Sequence, residues 1–232
     1  MNVTRSGTPA PQTRQKAQQI YQILEQVYGL PEWRQPLPAV DELVSTILSQ
    51  NTNDVNRDRA FDTLRERFPD WEDVRDADQQ TVIDAVRIAG LANQKGPRIQ
   101  AVLRQISEER GEISLDFLRD QDSQSAREWL TSHKGVGLKT AAIVMQFSLG
   151  IPAFPVDTHV YRVSGRLGLR PENMNVEKTH AWMEELFDPA QYGPGHLNII
   201  RHGREICHAR KPECERCPLS KLCDFYQSAQ SD

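Results

Sequence analysis

Hydrophobic residues recur along most of this chain at intervals of three and four. Ile20, Leu24 and Val27 form one such stripe, and Val40, Leu43, Val44, Ile47 and Leu48 form a second, the spacing of one face of an α-helix. Asp54 is suited to N-cap a helix carrying Val55, Ala60, Phe61 and Leu64 and ending near Phe68-Pro69, because the proline cannot continue it. Val82, Ile83, Val86 and Ile88 predict a short helix closed by Gly90; Ile99, Val102, Leu103 and Ile106 predict the next, followed by one around Trp129-Leu130. Ala141 to Leu149 is strongly apolar and stops at Gly150, and later stripes run through Val160, Val163 and Leu167, then Trp182, Leu186 and Phe187. No segment carries the period-two alternation of a convincing strand, so the chain reads as all-α. No internal repeat is visible. The regular pattern stops in the final segment, where the cysteines begin.

The chain has 232 residues, 38% of them hydrophobic, enough for a sizeable core in one domain or in two small ones. The formal net charge of −4 and a pI of about 5.9 count, taken alone, against a nucleic-acid binder and exclude a polybasic membrane-surface protein. No apolar run approaches the ~20 residues of a membrane span. The first residues, MNVTRSGTPAPQTRQKA, lack the apolar core of a secretory signal and read as a disordered arm. A cytoplasmic protein is expected. The charge is uneven: residues 1–132 carry 16 Lys and Arg against 21 Asp and Glu, whereas residues 133–223 carry 12 against 9. The acidic excess, concentrated around 54–84, is most simply a solvated face. The basic segment holds the most unusual motifs.

All four cysteines, Cys207, Cys214, Cys217 and Cys223, lie in a C-x6-C-x2-C-x5-C pattern. A disulfide framework would scatter them, so the cluster points to a metal. Four thiolates suit either zinc or an iron–sulfur cluster. One close pair with a ligand on each side, and Pro218 after the third cysteine, favours [4Fe–4S] over zinc without excluding it. His208 adjoins Cys207 but is not needed as a ligand. Arg210 and Lys211, in the loop between the first two cysteines, would face phosphates if the loop is fixed by metal; the alternative is simple solubilising charge.

Residues 126–149 read AREWLTSHKGVGLKTAAIVMQFSL. A helix ends near Ser132 and another begins near Leu138. Gly135 and Gly137 permit a tight turn, Val136 can plug the space between the helices, and the glycine N–H groups then face outward at a helix start, where a phosphate oxygen is favoured. This is a helix-hairpin-helix element that holds DNA backbone without reading sequence, with Lys134 as an added phosphate contact. Lys139 lies near the start of the second helix in an otherwise apolar segment. Partial burial and the positive helix end both favour a neutral, nucleophilic amine. The helix from 138 to 149 would be ~18 Å long, and the seven residues GIPAFPV that follow can span at most ~23 Å, enough to return Asp157 to the helix start. On residue types alone, the simpler readings are an N-cap for Asp157 and a snorkelling surface lysine for Lys139.

Together these motifs resemble the endonuclease III family of DNA glycosylases. The resemblance covers about residues 20 to 226 through ILSQNTND (47–54), GLANQK (90–95), KGVGLKTAA (134–142), VDTHVYR (156–162), HGREIC (202–207) and the cysteine tail. It implies two α-helical domains flanking a DNA-binding cleft: a six-helix barrel over 41–150, with the hairpin at about 126–149, and an iron–sulfur cluster domain from 16–40 and 151–232, after an arm over 1–15. It implies a [4Fe–4S] cluster on the four cysteines. It also implies base-excision repair by a glycosylase and abasic-site lyase. The damaged nucleotide is flipped from the stack, Lys139 attacks C1′ and expels the base, Asp157 stabilises the cationic sugar, and the Schiff base leads to β-elimination. Gln50, Leu91 and His159 match positions that fill the gap or line the flipped nucleotide, and Arg162 matches a DNA-backbone contact. The implied partner is double-stranded DNA with damaged bases or abasic sites, bound by a monomer in the cytoplasm of a bacterium or archaeon, near the nucleoid. Relatives specific for mismatched adenine, and some for mismatched thymine, lack a lysine at this position, so Lys139 favours a bifunctional glycosylase and lyase, with oxidised pyrimidines as the substrates the resemblance implies. The alternatives are a monofunctional glycosylase for alkylated or mismatched bases and a non-catalytic DNA-binding iron–sulfur protein. The chain departs from the family where His133-Lys134 replaces Leu-Pro, which should loosen the turn. It departs again where ILSQNTND replaces LLSAQATD, and where Ala92 follows Leu91 in place of a frequent tyrosine.

Overall fold

The computed structural model describes residues 7–31 and 36–230, and among them there is no strand. The helices in chain order are α1 (Pro11–Tyr28), α2 (Ala39–Ser49), α3 (Asp54–Arg67), α4 (Trp71–Asp76), α5 (Gln79–Ala85), α6 (Ala92–Arg110), α7 (Ser123–Ser132) and α8 (Leu138–Val144). After a π-helical turn over Met145–Leu149 come α9 (Thr158–Arg166), α10 (Val176–Leu186), α11 (Tyr192–Glu205) and α12 (Asp224–Ala229). The chain divides into two compact units, one of Met1–Arg34 with Pro152–Asp232 and one of Gln35–Ile151. The sequence placed these divisions at 40/41 and 150/151.

In the 35–151 unit, α2 is buried almost all round. Val40, Leu43, Val44, Ile47 and Leu48 are at most 6% exposed, as expected of a helix with neighbours on several sides. Helices α3, α6 and α8 pack against it. The second unit is built on α1, α9, α10 and α11, whose Ile20, Leu24, Val160, Val163, Trp182, Met183 and Ile199 share one core with Phe154, Leu219 and Cys223.

The first of two corrections concerns the N-terminal arm. Its residues 1–6 lie outside the described residues, but α1 starts at Pro11, so 11–15 are helical rather than an arm. The polar stretch hides an inward face. Thr13 and Ala17 are buried in register with Ile20 and Leu24, and Gln18 pairs with the Gln191 amide and the Leu186 carbonyl. The second concerns the cap of α3, which is Asn53, whose Oδ1 accepts the Asn56 N–H at 2.8 Å. Asp54 is the first helical residue, where a carboxylate still favours the positive helix end.

Candidate functional site

Helices α7 and α8 are joined by the five residues His133 to Gly137, with Val136 only 4% exposed and its N–H donating to the His133 carbonyl at 3.0 Å. The valine is the plug of the hairpin. Lys134 and Gly137 are exposed. Gly135 has φ +95, and a Cβ built on it would stand 2.1 Å from Arg98 Cδ, so the turn is pressed against α6. In place of Leu-Pro the turn opens on a buried histidine and an exposed lysine. His133 is 2% exposed, its Nδ1 lies 2.9 Å from the Trp129 carbonyl, and its ring packs on Trp129 at 4.3 Å. Lys139 is the second residue of α8, half-buried, on a helix start with no side-chain cap.

Asp157 is the N-cap of α9, its Oδ1 accepting the Val160 N–H at 2.7 Å. One oxygen therefore fixes the side chain, while Oδ2 makes no hydrogen bond among the described residues. Two residues on, the half-buried His159 has its pKa held down mainly by burial and by the Arg162 and Arg204 charges, against an opposing pull from Asp157. The imidazole is thus biased to the neutral form. Arg162 reaches inward. Nε and Nη2 donate to the Cys207 carbonyl at 3.1 and 3.0 Å, and Nη2 also to the Gly203 carbonyl at 2.9 Å and toward His159 Nδ1 at 3.0 Å. These bonds give it a tie between α9 and the start of the cysteine segment, a role the sequence did not suggest.

Two further residues escaped sequence reasoning. Lys95 is 1% exposed, and its ammonium donates to the carbonyls of Leu48 at 2.8 Å and Ala89 at 2.7 Å. Burial, then the Arg98 charge, lowers its pKa. Arg98 Nη1 donates to Gln50 Oε1 at 2.7 Å. The one available signal was register, since Lys95 falls four residues before Ile99 on the buried stripe of α6. Through these bonds α6 holds the end of α2, where Gln50 sits, and the turn that carries Leu91. Leu91 is 47% exposed with φ +51, and the other positive-φ residues that are not glycine, among those described, are Asn51 and Lys211. Each lies in, or beside, a segment expected to meet DNA, where strained backbone is commonly found.

The four thiols line one largely apolar cavity, with Arg166, Leu167, His202 and Phe225 among its walls. Among the described residues no three His, Cys, Asp or Glu groups are placed to hold a single metal ion. Four cysteine thiols lining one cavity are a donor set that an iron–sulfur cluster takes. Burial pushes the thiols of Cys214 and Cys223 up and that of Cys217 to about 11, and a bound cationic metal core is what returns such groups to thiolates. Arg166 Nη1 donates to Cys207 Sγ at 3.3 Å, and His202 Nε2 is 3.7 Å from Cys217 Sγ. Arg166 also clamps the loop beyond Cys207 through the carbonyls of His208 and Ala209, leaving Arg210 and Lys211 exposed. His208 pairs with Glu213 at 3.1 Å.

Residues 44–189 match the model of the HhH-GPD superfamily of base excision DNA repair proteins, and residues 207–223, from the first cysteine to the last, match the iron–sulfur binding domain of endonuclease III. The chain belongs to the endonuclease III family. It is 34% identical over 186 residues to the endonuclease III of Sulfolobus acidocaldarius, covering 79% of this chain and 81% of that one. It is 39% identical over 197 residues to a putative DNA glycosylase of Arabidopsis thaliana, covering 80% and 67%. A solved non-covalent endonuclease III–DNA complex has the same fold, with a TM-score of 0.82 at 24% identity over 94% of this chain and 99% of that one. As a base-excision DNA repair glycosylase of the endonuclease III family, the protein takes a [4Fe–4S] cluster, and Cys207, Cys214, Cys217 and Cys223 are the residues that would hold it. No described helix is long and apolar enough to cross a membrane.

Proposed function

We propose that this glycosylase is bifunctional, removing oxidised pyrimidines from duplex DNA and cleaving the strand as an abasic-site lyase. The observation that carries the lyase half is Lys139, an amine on the second residue of the hairpin's second helix, half-buried at the helix start. Its Nζ attacks C1′ of the flipped nucleotide, the base leaves, and the sugar ring opens to a Schiff base. The iminium acidifies the C2′ proton, whose loss expels the 3′ phosphate. Asp157, with one oxygen committed to its cap, supplies the carboxylate for the cationic sugar. Gln50 and Leu91 occupy the duplex where the nucleotide has left, His159 lines the flipped nucleotide, and Lys134, Gly135, Val136 and Gly137 seat the phosphate backbone. Arg210, Lys211 and the remaining valence of Arg162 add charge contacts. The exposed, left-handed Leu91 supports this reading, because an unburied leucine in that conformation has no packing reason to be there. The protein acts as a monomer on chromosomal DNA in the cytoplasm.

Borohydride reduction in the presence of an abasic duplex tests the proposal. A covalent protein–DNA adduct is expected with the wild-type chain and none with Lys139→Gln. Base release without an adduct would establish the monofunctional reaction on alkylated or mismatched bases, and lesion binding without release would establish a binding protein. Duplexes carrying single defined lesions then give the substrate preference.

A further inference from the structure

Lys95 carries an ammonium into the interior of the 35–151 unit, 1% exposed, and among the described residues no carboxylate meets it. A methionine would fill the same space without desolvating a charge. What the ammonium meets instead is two backbone oxygens, Leu48 O at 2.8 Å and Ala89 O at 2.7 Å. Leu48 lies in the last turn of α2, and Ala89 ends a short 3-10 turn over Arg87–Ala89. Neither oxygen accepts a backbone N–H among the described residues, so each is an orphaned carbonyl of a helix end, where a cation is favoured. Both stand just ahead of a residue in left-handed backbone: Asn51 (φ +53) follows Leu48 by three, and Leu91 (φ +51) follows Ala89 by two. The turn at Leu91 is closed twice by the same residue, because the Lys95 N–H donates to the Leu91 carbonyl at 3.0 Å while the Lys95 ammonium holds Ala89. The lysine itself is firmly seated. A Cβ on its neighbour Gly96 would stand 2.9 Å from Ile83 Cγ1, so α6 is pressed against α5 at that level. Leu91, by contrast, is 47% exposed. Its own packing does not hold a conformation that is unfavourable for leucine; the backbone behind it does.

We infer that Lys95 is a positioning residue for Leu91: it fixes the turn before DNA arrives, so the leucine enters the space of the flipped nucleotide already ordered. The inference rests on the glycosylase reading above, in which Leu91 fills that space. A turn that had to be ordered on insertion would lose backbone freedom at each residue it fixed, and that loss would be subtracted from the preference for DNA containing a gap. The competing role for Lys95 is structural only, a buried cap that supports the fold and has no share in DNA binding.

The test compares wild type, Lys95→Met, Leu91→Ala and the double variant for affinity to a duplex carrying a tetrahydrofuran abasic analogue and to the same duplex intact, with melting temperatures alongside. Lys95→Met keeps the stem and removes the donors. It should lower the preference for the analogue about tenfold, the cost of freeing the backbone of about one residue, and leave affinity for the intact duplex unchanged. In the Leu91→Ala background it should have no further effect on the preference. A second measurement needs no variant: in the free wild-type chain the Gly90 and Leu91 amides should show NMR order parameters of about 0.85, the value of rigid backbone. A lower melting temperature in Lys95→Met with the preference retained, a loss of affinity shared equally by both duplexes, additive losses in the double variant, or order parameters below about 0.6 in the free wild type would each overturn the inference. A wild-type chain with no preference for the analogue would refute the glycosylase reading itself, and this role with it.

Discussion

The two hairpin glycines should respond oppositely to alanine. At Gly135 the backbone has φ +95, which costs an L-residue about 1–2 kcal/mol. The added Cβ would stand 2.1 Å from Arg98 Cδ, so the arginine must swing away and lose its charged hydrogen bond to Gln50. Such a bond is worth about 1.5–3 kcal/mol when buried, and less here because both groups are half-exposed to water. Against this stands a gain of about 0.4–1 kcal/mol from the stiffer unfolded chain. Gly135→Ala should therefore destabilise by about 1–3 kcal/mol, or roughly 3–10 °C in melting temperature for a chain of this size. At Gly137, φ is −91 and nothing lies within 4 Å of a built Cβ. Gly137→Ala should melt at or slightly above the wild type, yet bind DNA more weakly if the N–H groups there approach a phosphate. Differential scanning calorimetry of the two variants, paired with titration of a fluorescent duplex, separates fold from contact. Equal melting of the two variants would refute the argument from φ and from the Arg98 contact together.

The remaining predictions concern the candidate catalytic carboxylate and the cluster. Asp157→Asn keeps an equally good N-cap, so melting should shift by less than about 0.5 kcal/mol while base release in single-turnover assays falls by at least ~10²-fold; a stability loss on the scale of a lost cap would show that Asp157 serves the helix alone. Arg166→Met removes the donor to Cys207 Sγ and both carbonyl clamps on the following loop, and should speed the loss of the visible thiolate-to-iron absorbance in chelator several-fold, since partners of the metal's ligands typically change affinity ~10–100-fold. In the cluster-free protein the raised thiol pKa values favour the protonated form. Their contribution to folding is thus complete below the unfolded thiol range and is lost as pH rises toward about 11 for Cys217, whereas cluster binding, which requires thiolates, tightens over the same rise. Reconstitution yields and urea midpoints measured from neutral to alkaline pH should move in opposite directions, and parallel movement would contradict the assignment.

The parts of the molecule legible in the sequence are those whose logic is short-range. Glycine, valine and glycine between two helical stripes prescribe a hairpin because turn and plug lie within five residues. The cysteine spacing prescribes a metal because all four ligands lie within one short segment. What escaped was decided by distant partners. The first two turns of α1 look like a tail because their inward residues are Thr13 and Ala17, small or polar, and Gln18 finds its amide partner 173 positions away. Helix α11 left no apolar stripe because polar groups fill its buried face: His196 Nδ1 lies 2.9 Å from the Pro155 carbonyl, Asn198 donates to the Gly29 carbonyl at 3.0 Å, and His202 is 1% exposed. Its Gly203 lets His159 come to 3.0 Å of where a Cβ would be, a close approach with no signature in composition.

Net charge failed for a related reason. Counting assumes that charges act together at a distance, but salt screens exposed charges beyond about 10 Å, so local pairing decides what a ligand meets. In the acidic stretch, Arg57 pairs with Asp54 at 3.2 Å and Asp58 at 2.8 Å, Arg75 with Asp76 at 2.6 Å, and Arg87 with Asp84. Each pair contributes little to stability, yet each removes a positive charge from the surface together with a negative one. In the basic segment Arg166 turns inward to the loop carbonyls and Arg162 to those of Cys207 and Gly203, while Arg210, Lys211 and Lys134 stand exposed. A chain with an excess of four negative charges can therefore display local positive charge on the cysteine segment, because the inward-turned Arg162 and Arg166 hold the stretch that exposes Arg210 and Lys211.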